Sequence, residues 1–166
     1  MSTTHTVVRS PLGDLTVVAE DGALTGVYFQ GHRRMPAQET FGTRTDEGFE
    51  QTRQQLDEYF NGRRTRFDLP LAPHGNEFQH RVWQLLTEIP YGETRSYGDL
   101  ARELGNATLA QAVGAANGRN PLSVIVPCHR VVGADGALTG YAGGLTRKRF
   151  LLDLEESAAA KEARLF

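Results

Sequence analysis

The chain has 166 residues, a net charge of −2 and ordinary apolar and charged fractions, enough for one sizeable core or two small packed units and too apolar for extended disorder. No run approaches roughly 18 apolar residues and no signal-peptide pattern precedes His5, so a soluble, cytoplasmic protein without a membrane partner is expected. A single cysteine, Cys128, excludes an internal disulfide or a zinc site of several thiolates; the five histidines show no ligand spacing, and no metal or cofactor is expected.

Residues 5–30 alternate as strands do. Thr6-Val7-Val8-Arg9 leads to the turn signal Ser10-Pro11-Leu12-Gly13-Asp14, then to Leu15-Thr16-Val17-Val18-Ala19. Glu20-Asp21-Gly22 marks a second turn before Leu24–Phe29, and the three runs predict an antiparallel meander. Residues 31–45 lack periodicity and read as a surface loop. From Asp46 to Phe60, the spacing of Phe49, Leu56, Tyr59 and Phe60 predicts an amphipathic helix laid on the sheet and ended by Asn61-Gly62. Arg63, Arg64 and Arg66 read as a solvated edge, and Phe67-Asp68-Leu69 as a short strand. Pro70–Gly75 is the linker signal, dividing the chain into an α/β domain over 1–73 and a second domain over 74–166.

Beyond the linker the pattern turns helical. Phe78, Val82, Leu85, Leu86 and Ile89 share a face, with Trp83 beside them, until Pro90 stops the helix. Ser96 stands three residues before Asp99, a capping-box start for a helix through Tyr97, Leu100, Ala101 and Leu104. Gly105-Asn106 breaks it, and a second short helix runs from about Ala107 to Ala116. The pair is a helix-turn-helix candidate, although spacing alone fits an ordinary helical hairpin equally well. The second helix is built from Ala and Gly, offering only Gln111 and Asn117 for base edges. Such a helix would meet DNA through phosphates, shape and the minor groove, without reading sequence. Residues 76–152 carry eight Arg/Lys against six Asp/Glu, a mild excess that allows a DNA face without demanding one.

The most unusual stretch is Ile125-Val126-Pro127-Cys128-His129-Arg130-Val131-Val132, where the only thiol is followed at once by an imidazole. A thiol attacks as thiolate, and its ordinary pKa near ~8.5 calls for a base or a cation nearby. His129 is the obvious base, but neighbours in an extended segment point to opposite faces, so contact needs a bend or a bridging water. A carboxylate on the far ring nitrogen would orient the imidazole. Glu155 is the candidate, since it borders the apolar side (Phe150, Leu151, Leu154) of a last helix over about Thr146–Ser157; Asp135, Asp153 and Glu156 fit the pattern too. Against this, a lone buried cysteine is commonly a small core residue, and Tyr97 and Asn120 would then be ordinary core or turn positions.

Taken together, these residues resemble the O6-alkylguanine-DNA alkyltransferases. The resemblance is carried by Pro127-Cys128-His129-Arg130-Val131, Gly118-Arg119-Asn120-Pro121, Tyr141-Ala142-Gly143-Gly144-Leu145, Ile89–Tyr97 and Gln111-Ala112-Val113-Gly114, and covers residues 77–155 almost without gaps. It implies an α+β fold, with an N-terminal RNase H-like antiparallel sheet and helix followed by a mostly helical domain holding the helix-turn-helix and active-site cysteine. It further implies repair by irreversible transfer of the alkyl group from O6 of guanine, with O4-alkylthymine as a further substrate, to Cys128 after base flipping. Glu155, His129 and a water would withdraw the thiol proton; Tyr97 would donate toward the leaving base, and Asn120 would be the hinge. Val131, Tyr141, Ala142 and Gly143 would line the pocket, while Tyr97, Gly98, Asn106, Gln111, Gly114 and Arg130 would meet DNA. The implied partner is double-stranded DNA containing O6-alkylguanine, bound by a monomer able to assemble cooperatively on DNA.

Two positions depart from the family pattern. Gln111 stands where most members place an intercalating Arg, which removes a charge and a planar stacking group. Ala142 stands where some members have Ser, leaving any O6 contact there to the backbone. The rival readings are a non-transferring binder of alkylated guanine, a Cys-His-Glu thiol hydrolase and a plain helix-turn-helix regulator. Cys128 weighs against the first and the bare second helix against the last.

Overall fold

The alternation over residues 5–30 builds the meander it predicts. In the computed structural model, which describes residues 2–156, strands β1 (Thr3–Val8), β2 (Leu15–Glu20) and β3 (Ala23–Phe29) pair antiparallel in sequence, with a bulge at Val18/Ala19. The β2–β3 connection turns on Asp21 and Gly22, both at positive φ (50° and 87°), the twist that tight hairpins favour.

The supposed loop over 31–45 is more ordered than its composition suggests. A 3-10 turn over Gln38–Phe41 leads to strand β4 (Thr43–Arg44), which pairs parallel with β1 and gives the order β3-β2-β1-β4. Phe41 is the anchor: it is buried against Val18 and stacks on Tyr28 at 5.7 Å. Gly42 follows at φ 71°, and a Cβ there would lie 1.9 Å from the Thr3 carbonyl oxygen, so only glycine lets β4 enter.

Helix α1 (Glu50–Phe60) buries Leu56 and Tyr59, with Phe49 buried just before it. The expected strand at Phe67–Leu69 is absent. Instead Leu24 bridges Leu71, donating to the Pro70 carbonyl and accepting from the Ala72 amide, each at 2.8 Å. Farther along β3, Val27 bridges Leu122 and donates to the Pro121 carbonyl at 2.8 Å. The open edge of β3 is therefore covered by the linker and by a C-terminal segment.

The helices start where side chains cap them. Asn76 with Gln79 opens α2 (Glu77–Thr87), and Ser96 with Asp99 opens α3 (Tyr97–Glu103), both as reciprocal capping boxes. Asn106 accepts from the Thr108 amide and starts a 3-10 turn that runs into α4 (Ala110–Gly118). Trp83 on α2 donates to the Ala116 carbonyl at 2.9 Å, locking α4 from behind. Helix α5 covers Leu145–Glu155, and Ser157 with the Ala-rich end lies outside the described residues. The short strands β5 (Arg95–Ser96) and β6 (Val131–Val132) pair parallel.

The fold is α+β, and one apolar cluster joins its two parts. Phe29, Leu56 and Tyr59 from the N-terminal part share it with Trp83, Leu100, Val113, Cys128 and Leu151. No described helix is long and apolar enough to cross a membrane.

Candidate active site

Residues 122–130 are buried, as their apolar character requires, but they do not form an extended strand. The Ile125 amide donates to the Ser123 carbonyl across Val124, whose φ is 74°, a conformation that β-branched residues rarely adopt. The Cys128 amide then donates to the Val126 carbonyl across Pro127 (φ −80°, ψ 64°), an inverse γ-turn. Cys128–Arg130 follow as one 3-10 turn. This replaces the extended geometry expected from sequence; two tight turns present the thiol and send the following side chains back into the core.

His129 is fully buried, and its Nε2 lies 2.7 Å from Glu155 Oε2 on α5. With the carboxylate taking the Nε2 proton, Nδ1 is the acceptor, and no described group lies within hydrogen-bond reach of it. No hydrogen bond of the described residues joins Cys128 and His129 directly. Of the four carboxylates that fitted the sequence pattern, only Glu155 pairs with His129; Asp135 accepts from the Ala137 amide in an exposed turn, and Asp153 is exposed.

The Glu155 carboxylate takes hydrogen bonds from three side chains. Besides His129 it accepts from Arg130 Nε at 2.8 Å and Nη2 at 3.0 Å, and from the Tyr59 hydroxyl at 2.5 Å. Burial alone would raise its pKa, but the hydrogen bonds from His129 and Arg130, together with the guanidinium charge, outweigh it and hold Glu155 at about 2. Burial pushes His129 down despite Glu155, so the imidazole is neutral and the carboxylate's charge is balanced by Arg130.

Arg130 was expected at the DNA face, and the structure corrects this. Its guanidinium is buried, doubly bonded to Glu155, donates from Nη1 to the Ile89 carbonyl at 2.6 Å and lies 5.7 Å from the Tyr91 ring centre. Asn117, one of the two polar groups offered for base edges, likewise turns inward and donates weakly to the Cys128 carbonyl at 3.4 Å.

Asn120 is buried and bonded at both ends of its amide. Its Nδ2 donates to the Val126 carbonyl at 2.9 Å and its Oδ1 accepts from the Leu122 amide at 3.0 Å, bracing the turn that carries the cysteine. Burial pushes the Cys128 thiol up, with Asn120 and the charge of Lys148 pulling the other way. Lys148, which sequence reasoning passed over, is fully buried on α5 and donates to the carbonyls of Val131 and Thr139, both at 2.6 Å. Burial lowers it to about 8 against the opposing influence of Cys128. It ties β6 to the Gly-rich loop and places a cation where a thiolate would form.

The loop over 139–144 is held from the N-terminal part. The Ala142 carbonyl accepts from the Arg33 amide at 2.9 Å, and Arg147 bridges the carbonyls of Gln30 (2.7 Å) and Gly143 (3.2 Å). Tyr141 and Val131 are buried, the Tyr141 ring lying 6.1 Å from that of Phe29. A Cβ at Gly143 would meet Phe29 at 2.6 Å, which leaves that position to glycine. On the outer side Gln111 and Asn106 are exposed, Gly98 and Gly114 are half-buried, and Gly114 lies against the Tyr97 ring. The Tyr97 hydroxyl meets Thr139 Oγ1 at 3.0 Å, so α3, α4 and the Gly-rich loop converge. A buried thiol with a neutral imidazole, an ionised carboxylate and a nearby cation has a base and a counter-charge at hand, which is what a nucleophilic sulfur requires.

Residues 77–157 match the family model described as the DNA-binding domain of 6-O-methylguanine DNA methyltransferase, and residues 4–73 match its ribonuclease-like domain. The chain is 46% identical to a methylated-DNA–protein-cysteine methyltransferase of Mycobacterium tuberculosis, over 98% of each chain. It is 46% identical to one from Methanosarcina acetivorans, over 92% of this chain and 98% of that one. A crystal structure of Mycobacterium tuberculosis OGT in complex with DNA superposes with a TM-score of 0.87 over 92% of each chain at 46% identity. The Pyrococcus kodakaraensis O6-methylguanine-DNA methyltransferase shares the fold at a TM-score of 0.55 and 22% identity, covering 93% of this chain and 99% of that one. With both halves matched in order, and near-complete relatives at this identity, the chain belongs to the 6-O-methylguanine DNA methyltransferase family.

Proposed function

We propose that this chain is a methylated-DNA–protein-cysteine methyltransferase that reverses DNA damage directly, moving the alkyl group from O6 of guanine onto Cys128 and keeping it there. The observation that carries this is the Cys128–His129–Glu155 arrangement, a buried thiol one residue before an imidazole held by an ionised carboxylate.

The base leaves the duplex, because its O6 carbon substituent cannot be reached inside the stack. It enters between Tyr97 and the loop carrying Tyr141, Ala142 and Gly143, with Val131 behind. A water passes the Cys128 proton to His129 Nδ1, whose Nε2 proton remains with Glu155. The sulfur attacks the alkyl carbon, an S–C bond forms, and the O6–C bond breaks with its electron pair going to guanine. The Tyr97 phenol donates toward the departing base, and the proton taken from the thiol restores neutral guanine through solvent. No step cleaves the thioether to restore the thiol, so each molecule acts once. The small outer face of α4, with Gly98 and Asn106 beside it, approaches the minor groove without base-specific groups, and Gln111 occupies the gap in the stack. O4-alkylthymine presents the same kind of ether and is a second substrate.

Incubation with duplex carrying O6-methylguanine should add about 14 daltons once per molecule, as methyl replaces the thiol hydrogen in a covalent transfer. Peptide mapping should put it on Cys128, with no gain for Cys128→Ser. Binding without mass gain would make the protein a non-transferring alkylguanine binder, and repeated turnover would make it a hydrolase.

A further inference from the structure

Tyr59 belongs to α1, at a sequence separation of 96 from Glu155, yet its hydroxyl donates to Glu155 Oε2 at 2.5 Å. The side chain is 1% exposed, and its ring is boxed in by Phe60 and Phe67, each at 5.3 Å, and Tyr91 at 6.3 Å. The acceptor is the oxygen that also holds His129 Nε2. Arg130 bonds to both carboxylate oxygens, so the position of Glu155 does not depend on the phenol. What the phenol controls is the charge left on Oε2 for the imidazole.

We propose that Tyr59 is a positioning residue of the alkyl-transfer site, contributed by the N-terminal part, whose hydroxyl shares Glu155 Oε2 with His129 and thereby sets how strongly the imidazole draws a proton from Cys128. This rests on the reading of Cys128 as alkyl acceptor. A carboxylate oxygen accepting from several donors has its charge divided among them, and each donor stabilises the ionised form. Burial, reinforced by Glu155 beside it, pushes Tyr59 far above the ordinary phenol range, so it is always a donor. The groups facing His129 and its carboxylate are Cys128 and Arg130 on the same turn, Lys148 on α5, Tyr59 on α1, Tyr91 after α2 and Tyr141 on the Gly-rich loop. Among the described residues only His129, Arg130 and Tyr59 hydrogen-bond to the Glu155 carboxylate, so removing the hydroxyl leaves Oε2 to His129 and Arg130.

The sign follows from charge. In Tyr59→Phe more negative charge remains on Oε2, the imidazolium gains stability, and the pKa of His129 rises. Neutral His129 is the proton acceptor, so the acid limb of the single-turnover rate moves to higher pH. Encoding 3,5-difluorotyrosine at position 59 makes the phenol a stronger donor and moves the limb the other way.

The test measures single-turnover transfer to Cys128 of the full chain between pH 5 and 9, on duplex containing O6-methylguanine, for wild type, Tyr59→Phe and the difluorotyrosine protein. A 15N NMR titration of His129 accompanies it. Opposite displacements of limb and titration, each by roughly half to one pH unit, the scale of one hydrogen bond to a charged group, support the inference. A limb and a titration that stay in place in the soluble variants overturn it, as does a uniform loss of rate at every pH, which packing alone would give. If Tyr59→Phe does not fold, the difluorotyrosine protein, with its near-native shape, decides alone. Should no protein transfer a group to Cys128, the alkyl-acceptor reading fails, while the NMR titration still supports or overturns the link from Tyr59 to His129.

Discussion

The outer face of α4 and the interior behind Cys128 follow opposite designs. The outer face exposes Gln111, Ala112 and Ala115, so it offers one polar group and two methyls. The interior holds His129, Arg130, Lys148 and Glu155, all buried and all bonded to one another or to carbonyls. A surface that must accept any sequence gains nothing from groups aimed at particular bases. A reaction that creates a thiolate gains from charges fixed before the substrate arrives, because they need no reorganisation when the proton leaves. The contrast makes a demand: interior substitutions should act through stability and chemistry, and outer ones through DNA affinity.

The largest effect should come from Glu155→Ala. It leaves Arg130 buried without its carboxylate and His129 without its partner. Truncating one member of a buried ion pair costs about 3–5 kcal/mol, a large share of a typical domain's stability. Urea denaturation of the variant would show the interior network to be dispensable if the loss stayed below about 1 kcal/mol, the range of an exposed pair.

Acid should reach the same network without mutation. Glu155 is at about 2 in the folded protein against an ordinary 4.5, so its contribution is complete above 4.5 and is lost as pH falls toward 2. His129 is also lowered, and His32 lies at about 4 against 6.5, through burial and then Arg147; their contributions fade from 6.5 downward. Stability should therefore fall continuously on acidification below about 6.5, the ordinary histidine value. Glu155→Gln should flatten the part of that slope below 4.5, the ordinary value of the group it removes.

The two designs were not equally legible in the sequence. The bare face of α4 could be read directly, because Ala and Gly declare themselves, and so could the capping box at Ser96 and Asp99. Glu155 was reachable because it borders a helical apolar stripe. Arg130 was placed at the DNA face by the family resemblance; a position in a motif does not give a side chain's direction, and the 3-10 turn sends it inward. Tyr59 looked like one more apolar helix position, since no local pattern reports a hydrogen bond across 96 residues. Phe41, the one phenylalanine in a largely polar segment, was the overlooked signal for β4. The γ-turns at Val124 and Pro127 depend on long-range packing that residue preferences do not encode.

An intermediate effect is expected at Asn120, which belongs to the interior but carries no charge. Asn120→Ala removes both bonds that brace the cysteine turn and leaves the Leu122 amide and Val126 carbonyl buried without that partner. The cost should be about 1–3 kcal/mol, the penalty of unsatisfied buried polar groups, with a slower transfer step. A stability loss at fully retained rate would mean that the brace supports the fold without aiming the thiol.

The smallest effect, and the one that belongs wholly to the outer face, is that of Gln111→Arg. Gln111 is exposed, so the change should leave denaturation midpoints within about 0.5 kcal/mol, as at most surface positions. On DNA the new guanidinium adds a positive charge near phosphates and a planar surface against the bases flanking the gap. Affinity for duplex should rise by roughly three- to tenfold at low salt, and the slope of log affinity against log salt should steepen by about 0.9, the contribution of one further phosphate contact. Gln offers that gap a hydrogen bond without a counterion to release, so the native chain should bind with the shallower salt dependence. Equal affinity, slope and repair rate in the two proteins would mean that position 111 does not enter the stack. The minor-groove approach of α4 would then have to be redrawn around Ala112 and Ala115.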